Sequence, residues 1–218
     1  MKTPTCIFLF LHIALAAQLP QQKLTNTELD SHRNLNEINL GDSYQKWKNF
    51  LFDKEVHDKF VLSYTFKSDS CCNELFGNAA KLVKLTFQND KVVSIRIELK
   101  SFFEGKKIVT SDEGNLAIET AVAKYETINK NFSNLFGKPY ASHSNQENIP
   151  GEPEAIVQWR GANTFLETNY YYYKAVYPPR RIVGSAMGLT EKLEEARDKT
   201  VIVLSDLNFL KNKVKSGS

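Results

Sequence analysis

Two adjacent cysteines, Cys71 and Cys72, have the most distinctive chemistry in this chain and lie in the stretch SDSCCNELFG (68–77). Neighbouring Cα atoms are about 3.8 Å apart across a trans peptide, whereas a disulfide normally spans about 4.4–6.8 Å. A bond between these two cysteines would therefore be strained and easily reduced. The alternatives are two thiols in a turn near Asn73 and Gly77, or a bridge to another chain.

The histidines of the chain do not predict a metal site. A zinc site normally takes four ligands from closely spaced cysteines and histidines. His32, His57 and His143 are far apart in the sequence and match no such spacing. We therefore predict no metal and no cofactor.

Recognisable catalytic motifs are also missing from the sequence. The stretch GSAMG (184–188) lacks the glycines two residues before and after Ser185 that the nucleophile elbow of serine hydrolases requires. The sequence contains no HExxH, P-loop or dinucleotide-binding pattern. His57 and His143 are candidate bases, but a single histidine in a polar stretch is typical of a solvated surface. We predict no catalytic residue.

The stretch LTEKLEEARDK (189–199) contains acidic residues that resemble paired carboxylates for acid–base catalysis. These residues are Glu191, Glu194, Glu195 and Asp198, interleaved with Lys192, Arg197 and Lys199. In a helix, Glu194 would neighbour Arg197, and Glu195 would neighbour Lys199. The pattern therefore favours a solvated helix face.

The stretch ETNYYYYKAVYPPRR (167–181) has the most unusual composition in the chain. Side chains alternate between the two faces of a strand, so Tyr170 and Tyr172 share one face and Tyr171 and Tyr173 share the other. We expect one pair to pack in the core and the other to face a partner or a sugar, since tyrosine is enriched at contact surfaces. The alternative is that all four fill an ordinary sheet beside a proline turn. The candidate partner-binding residues are Tyr170, Tyr171, Tyr172, Tyr173, Tyr177, Arg180 and Arg181.

The N-terminal stretch MKTPTCIFLFLHIALAAQ has the layout of a signal peptide. Lys2 precedes an apolar run from Cys6 to Leu15, and small residues follow before the polar sequence begins. The run is shorter than the roughly 18 residues of a membrane-spanning helix, and no later segment comes closer. We predict a signal peptide at 1–17, a secreted or periplasmic protein, and no membrane span.

The composition supports a packed core and argues against a nucleic-acid partner. The 28 basic residues less Lys2 leave 27, against 25 acidic residues, a net charge of +2 for the mature chain. This is far from the basic excess of nucleic-acid-binding domains. The hydrophobic content of 42%, with 14 Phe and 9 Tyr, is sufficient for a core.

Hydrophobic periodicity predicts helices and antiparallel strands, and hence an α+β fold. Alternating apolar residues predict a strand at 60–66, a hairpin at 81–99 that turns at Asn89-Asp90, and a second hairpin from AIVQWR and TFLETNYYYY. The predicted helices and the last strand follow from these patterns: a helix after Asp42 or Ser43 with Tyr44, Trp47, Phe50 and Leu51 on one face; a long helix at about 115–137 with Ile118, Ala121, Val122, Tyr125, Ile128, Phe132, Leu135 and Phe136 on one face; and a strand at VIVLSD that closes into a short helix. The polar stretch 142–154 is predicted to be a loop.

The chain is expected to comprise a signal peptide (1–17), a flexible polar leader (18–37), a first helix-plus-hairpin module (38–110) and a second module (111–215). Each half offers a helix followed by a hairpin, and each contains Leu-Phe-Gly, at 75–77 and 135–137. Two helix-plus-sheet repeats and one continuous α+β domain are both consistent with this pattern.

A resemblance to known proteins follows from LGDSYQKW, from the antiparallel hairpins and from the helix that ends in LFGKP. The chain resembles small secreted or periplasmic helix-plus-sheet modules, including tandem modules of the β-lactamase-inhibitor-protein-like kind and uncharacterised exported proteins of Bacteroidetes-type bacteria. The resemblance covers 38–99 and 116–210 in the order of elements and carries no catalytic residue, because such modules mostly act by binding.

The expected function is therefore that of an exported, non-catalytic protein that binds an unknown protein or surface ligand. The alternative is a small-ligand-binding protein or enzyme with a pocket between the 115–137 helix and a curved sheet.

Overall fold

The structure of the protein is a computed structural model. It describes residues 26–67, 72–101, 111–145, 152–176, 180–181, 190–191 and 194–216. The predicted signal peptide and Cys71 lie outside these ranges.

The described residues form four α-helices, one 3₁₀ turn and thirteen strands. The helices are α1 (Thr27–Ser31), α2 (Tyr44–Trp47, continued by a 3₁₀ turn at Lys48–Phe50), α3 (Ser111–Phe136) and α4 (Leu207–Ser216). The strands are β1 (Asn34–Leu35), β2 (Ile38–Asn39), β3 (Leu51–Asp58), β4 (Val61–Phe66), β5 (Glu74–Leu75), β6 (Asn78–Gln88), β7 (Lys91–Leu99), β8 (Ala141–Ser144), β9 (Ala155–Arg160), β10 (Thr164–Val176), β11 (Arg180–Arg181), β12 (Thr190–Glu191) and β13 (Glu194–Asp206). The predicted α+β class is confirmed.

One antiparallel sheet connects the two halves of the chain. Its strand order is β3-β4-β6-β7-β13-β10-β9-β8, and β5 pairs with β6 at the side. The first half runs inward from β3 to β7, and the second half runs inward from β8 to β13. The last strands of the two halves pair at the centre, from Val201 opposite Glu98 to Ser205 opposite Ser94. The expected boundary at residue 110 therefore does not divide the sheet.

A repeat of two helix-plus-sheet modules is not confirmed. Each half contributes four strands in the same inward order, but the described helix of the first expected module (38–110) is the four-residue α2, whereas the second half has the 26-residue α3. The two Leu-Phe-Gly tripeptides also differ in context. Gly77 lies in the turn between β5 and β6, whereas Gly137 ends α3. Both glycines have positive φ angles, which explains the shared glycine without a common ancestor.

The hairpin predicted at 81–99 is confirmed as β6 and β7. Its turn residues Asn89 and Asp90 both have positive φ angles, as a two-residue hairpin turn requires. The register shifts between Thr86 and Phe87, so that Phe87 pairs with Val92. For this reason Val92 is buried, whereas Val93, which uninterrupted alternation would place on the same face as the buried Ile95, is only half-buried.

The long amphipathic helix is confirmed as α3. Ala121, Tyr125, Ile128, Phe132 and Phe136 form its buried stripe. Leu135, predicted on the same stripe, is exposed, because in the last turn of the helix Phe132 and Phe136 face the core and Leu135 lies to the side of them. The helix ends at Gly137, whose amide donates to the carbonyl of Ser133.

The prediction of a flexible leader at 18–37 is wrong for residues 26–37. Asn26 caps α1 by accepting from the Leu29 amide, and Leu29 and Leu35 are buried. The Asp30 carboxylate accepts from the amides of Ala162 at 2.6 Å and Asn163 at 2.9 Å, in the turn between β9 and β10. These partners are more than a hundred residues away, so the local polar composition could not reveal them.

A Cβ atom at Gly161 would overlap the Asp30 carboxylate, so any side chain there would displace the carboxylate from the two amides that donate to it.

The predicted helix at 189–199 is also wrong. Residues from Glu194 belong to β13, which pairs along its length with β10, from Val176 opposite Glu194 to Thr164 opposite Asp206. Strong helix formers occupy this stretch, but the partner strand decides its conformation. Asp198 is consequently buried, and its carboxylate accepts from the Ser101 hydroxyl at 2.5 Å.

Two smaller differences concern element boundaries. The first predicted helix ends at Phe50, and Leu51 begins β3 instead of extending the helical face. The start of the predicted loop at 142–154 lies within β8, which pairs with β9.

The main core lies between one face of the sheet and the segments that cover it. Its buried residues include Leu29, Ile38, Trp47, Phe66, Leu85, Ile97, Phe132, Trp159 and Ile202. The members come from α1, α2, α3 and strands of both halves, so the two halves share a core. Among the described helices, none is both long enough and apolar enough to cross a membrane.

Candidate functional site

The tyrosine run lies on β10, and its side chains alternate between the two faces as predicted where they are described. Tyr170 is buried, with 4% of its surface exposed, and Tyr172 is half-buried against the same cluster beneath α3. Tyr171 lies on the opposite face, where the Lys199 ammonium sits 4.3 Å from the centre of its ring. Tyr170 is therefore a core residue, and only the Tyr171 face is open to a contact role.

For the other predicted contact residues, the structure gives at most a position in a strand. Arg180 and Arg181 form β11, which pairs with Glu191 and Thr190 of β12. Tyr173 is in β10 opposite Arg197. Tyr177 lies outside the described residues. The role of these residues in binding stays a prediction.

Tyr125 of α3 packs against β10 in the region where the alternative hypothesis places a pocket. The Tyr125 ring stacks on Tyr170, with centroids 5.2 Å apart. The Tyr125 hydroxyl donates to the Thr168 carbonyl at 3.1 Å, and Thr168 donates to Asn129 at 2.6 Å. Burial raises the pKa of Tyr125, so this phenol is protonated at neutral pH.

Cys72, the described member of the cysteine pair, is buried in the main core with a positive φ angle. A buried sulfur cannot reach another chain without local opening. The pairing state of Cys71 lies outside the described residues. Within the described ranges, no cluster of three or more His, Cys, Asp or Glu side chains could hold a metal ion.

Strand pairing assembles a polar network that the sequence did not reveal. His57 Nε2 lies 2.7 Å from Ser63 Oγ, which lies 2.9 Å from Thr86 Oγ1. Lys84 Nζ donates to Glu55 at 2.7 Å, and the other oxygen of Glu55 lies 3.9 Å from His57 Nε2. The hydrogen bond from Lys84 and its charge lower the pKa of Glu55.

The serine–histidine contact in this network does not have the geometry of a catalytic triad. In a triad the histidine uses one ring nitrogen for the serine and the other for the carboxylate. Glu55 instead approaches the same Nε2 atom that contacts Ser63. Ser63 is also 2% exposed, so its hydroxyl is closed to a substrate. The network therefore ties β3, β4 and β6 together.

A cavity of about 510 Å³ lies at the end of the sheet where the β3–β4 and β6–β7 turns meet. We call it the aromatic cavity. Its lining residues are Tyr44, Lys59, Phe60, Leu62, Tyr64, Phe87, Asn89 and Asp90. Tyr64 and Phe87 are buried and form the floor, whereas Phe60 at the rim is 58% exposed.

The rings of the aromatic cavity pack at steep angles to one another. The centroid of Tyr44 lies 5.5 Å from Tyr64 and 5.6 Å from Phe87, and Tyr64 lies 5.9 Å from Phe87. Burial raises the pKa of Tyr64, and the neighbouring Tyr44 and the Asp90 carboxylate raise it further. The Tyr64 phenol is therefore protonated at neutral pH and can act as a hydrogen-bonding group.

Backbone hydrogen bonds fix the mouth of the cavity. The Tyr44 amide donates to the Asp90 carbonyl at 2.8 Å, and the Asn89 amide donates to the Phe60 carbonyl at 3.4 Å. The first bond joins α2 to the β6–β7 turn, and the second joins the two turns. The positive φ angles of Asn89 and Asp90 place their short polar side chains in the tight turn at the rim.

Asp42 anchors the segment that carries Tyr44. Its carboxylate accepts from the Asn39 amide at 3.0 Å, from Lys46 Nζ at 2.8 Å and from Trp47 Nε1 at 3.0 Å. Burial acts to raise the pKa of Asp42, but these three hydrogen bonds together lower it below its ordinary value. The carboxylate is therefore ionised at neutral pH and holds the turn before α2 in place.

Comparison with known proteins gives no relative: no protein-family model, no curated protein and no solved structure matches the chain.

Proposed function

We propose that this chain is an exported, non-catalytic binding protein and that the aromatic cavity is its binding site. The observation that carries the proposal is a solvent-open cavity with an exposed aromatic side chain, Phe60, at its rim and polar groups around it. Its volume is within the range of about 300–1,000 Å³ that is usual for small-molecule sites. An apolar floor with a few placed polar groups is the common composition of such sites.

The chemistry of the lining supports binding more than catalysis. The described lining includes no histidine, serine or cysteine, the residues that most often act as base or nucleophile, and Tyr64 is a neutral phenol at neutral pH. The histidine that contacts a serine, His57, is not a lining residue of the cavity. Binding also agrees with the function expected from the resemblance to secreted helix-plus-sheet modules.

Fragment screening by NMR tests the binding proposal. We expect small-molecule hits to shift resonances of the aromatic cavity and expect Phe60→Ala to weaken them by about tenfold, since a buried aromatic contact contributes roughly 0.5–1.5 kcal/mol beyond its area. Phe52→Ala is the matched control, because Phe52 is 47% exposed on neighbouring β3 and does not line the cavity. Hits that avoid the cavity, or turnover of a hydrolase substrate panel that His57→Ala abolishes, would contradict the proposal.

Export is tested by the mass of the N-terminus of protein isolated from the native host. We expect the first 16 or 17 residues to be missing and the protein to be secreted or periplasmic. The physical reason is the charged start and the short apolar run that precede a small-residue cleavage site. Recovery of the chain with an intact Met1 in the cytoplasmic fraction would show that the export prediction is wrong.

A further inference from the structure

We infer that the ligand of the aromatic cavity is a neutral sugar ring, either free or as one unit of a longer chain. The inference rests on the proposed function, since it assigns a chemical class to the same site. Three properties of the lining lead to this class: balanced charge, paired donors and acceptors, and an apolar surface beside them.

The charges around the cavity favour a ligand with no net charge. Lys59 and Asp90 are the charged residues that line it, and they have opposite signs. A cationic ligand attracted to Asp90 would be repelled by Lys59, and an anionic ligand attracted to Lys59 would be repelled by Asp90. The Lys59 ammonium also lies 5.3 Å from the centre of the Phe60 ring, so this ring already has a cation beside it.

The polar groups at the rim match hydroxyl groups. Asp90 offers an acceptor, Lys59 offers donors, and the Asn89 amide offers both. A sugar hydroxyl donates one hydrogen bond and accepts others, so it can use every one of these groups. A ligand that only donates or only accepts would leave part of the rim unpaired, at a cost in affinity.

The apolar part of the lining matches the C–H face of a sugar ring. Phe60 is largely exposed at the rim, and Leu62 and Tyr44 are half-buried beside the floor. A sugar ring has an apolar face of C–H groups and a polar edge, so it can lie on Phe60 and Leu62 while its hydroxyls reach the rim. The open side next to Phe60 leaves space for neighbouring units of a chain.

Titration with defined sugars tests the inference, monitored by NMR of the wild-type chain. The probes are the methyl glycosides of glucose, galactose, mannose and N-acetylglucosamine, and the corresponding hexasaccharides. Choline and phenylalanine are the cationic and zwitterionic comparison ligands. We expect at least one sugar to shift resonances of Phe60, Leu62 and Tyr64. Its affinity should be the same at low salt and at several times physiological salt, because a neutral ligand is not affected by charge screening.

Three variants test which contacts bind the sugar. Phe60→Ala should weaken the sugar about tenfold or more, whereas Phe52→Ala should leave its affinity unchanged. Asp90→Asn should change sugar affinity only a few-fold, because the amide keeps an acceptor and removes the charge. Binding of choline that weakens as salt rises and that Asp90→Asn abolishes, without binding of any sugar, would indicate a cationic ligand and overturn the inference.

The outcomes separate the inference from the function on which it rests. Cavity shifts with glycosides and hexasaccharides alike support a free sugar, and shifts with hexasaccharides alone support a chain. If fragments, choline or phenylalanine bind at the cavity and no sugar does, the sugar inference is overturned while the binding function stands. If nothing binds at the cavity, both are overturned.

Discussion

Replacing Trp159 with alanine is expected to lower the free energy of unfolding by about 3–5 kcal/mol, the usual cost of truncating a large buried aromatic side chain. Trp159 lies on β9 with 0% of its surface exposed, and its ring centroid is 5.7 Å from that of Phe132 on α3. Its Nε1 donates to the Gly137 carbonyl at 3.0 Å. The alanine variant would lose both the packing and this bond at the end of the long helix.

The comparison with Trp159→Phe separates these two losses. Phenylalanine keeps most of the packing but leaves the Gly137 carbonyl without its donor, so we expect a smaller loss, about 1–3 kcal/mol. Urea denaturation of the three chains measures both values, with equal slopes required for the comparison. A loss below about 1 kcal/mol for Trp159→Ala would show that β9 and α3 do not share one core.

The elements that the sequence predicted well are those whose signals are local. The 81–99 hairpin has its alternation and its turn within about twenty residues, and α3 has a stripe that repeats over several turns. Both are confirmed. Even there, the shift that buries Val92 in place of Val93 depends on the partner strand, because the bulge is set by pairing with Phe87.

The failed predictions have a common physical cause, which is long-range pairing. Residues 26–37 are mostly polar, but the Asp30 carboxylate accepts hydrogen bonds from the β9–β10 turn, which fixes this segment in place. Residues 194–199 have helical propensity, but β10 offers a partner strand along their whole length. In both cases the deciding contact is far away in sequence and outweighs the local preference.

The candidate site was missed for the same reason. The lining of the aromatic cavity comes from three separate segments, around Tyr44, around 59–64 and around 87–90. Tyr44, Leu62 and Phe87 were assigned correctly to a helix or strand, whereas Phe60, predicted in the strand 60–66, lies in the turn before β4. Only the sheet register and the docking of α2 bring the segments together. The unusual composition of the tyrosine run made it a candidate binding site, whereas Phe60 is a single aromatic residue at a turn and nothing in the local composition distinguishes it.

Substitutions in the tyrosine run are expected to separate its two faces. Tyr170→Ala should lower the free energy of unfolding by about 3–5 kcal/mol, by analogy with other buried aromatic truncations, because Tyr170 is 4% exposed and stacks on Tyr125. Tyr171→Ala should cost about 1 kcal/mol or less, since it loses a half-buried ring and its contact with Lys199. Urea denaturation measures both changes.

Tyr170→Phe provides a sharper test of the same burial. The Tyr170 hydroxyl is buried and has no hydrogen-bond partner among the described residues, so its burial costs desolvation free energy without a compensating bond. Burial and then the nearby Asp198 carboxylate raise the pKa of Tyr170, which keeps the phenol neutral at all ordinary pH values. Removing this oxygen should therefore leave stability unchanged or raise it by about 1 kcal/mol. Equal losses for Tyr170→Ala and Tyr171→Ala would contradict the alternation, and a large loss for Tyr170→Phe would mean that the hydroxyl has a partner after all.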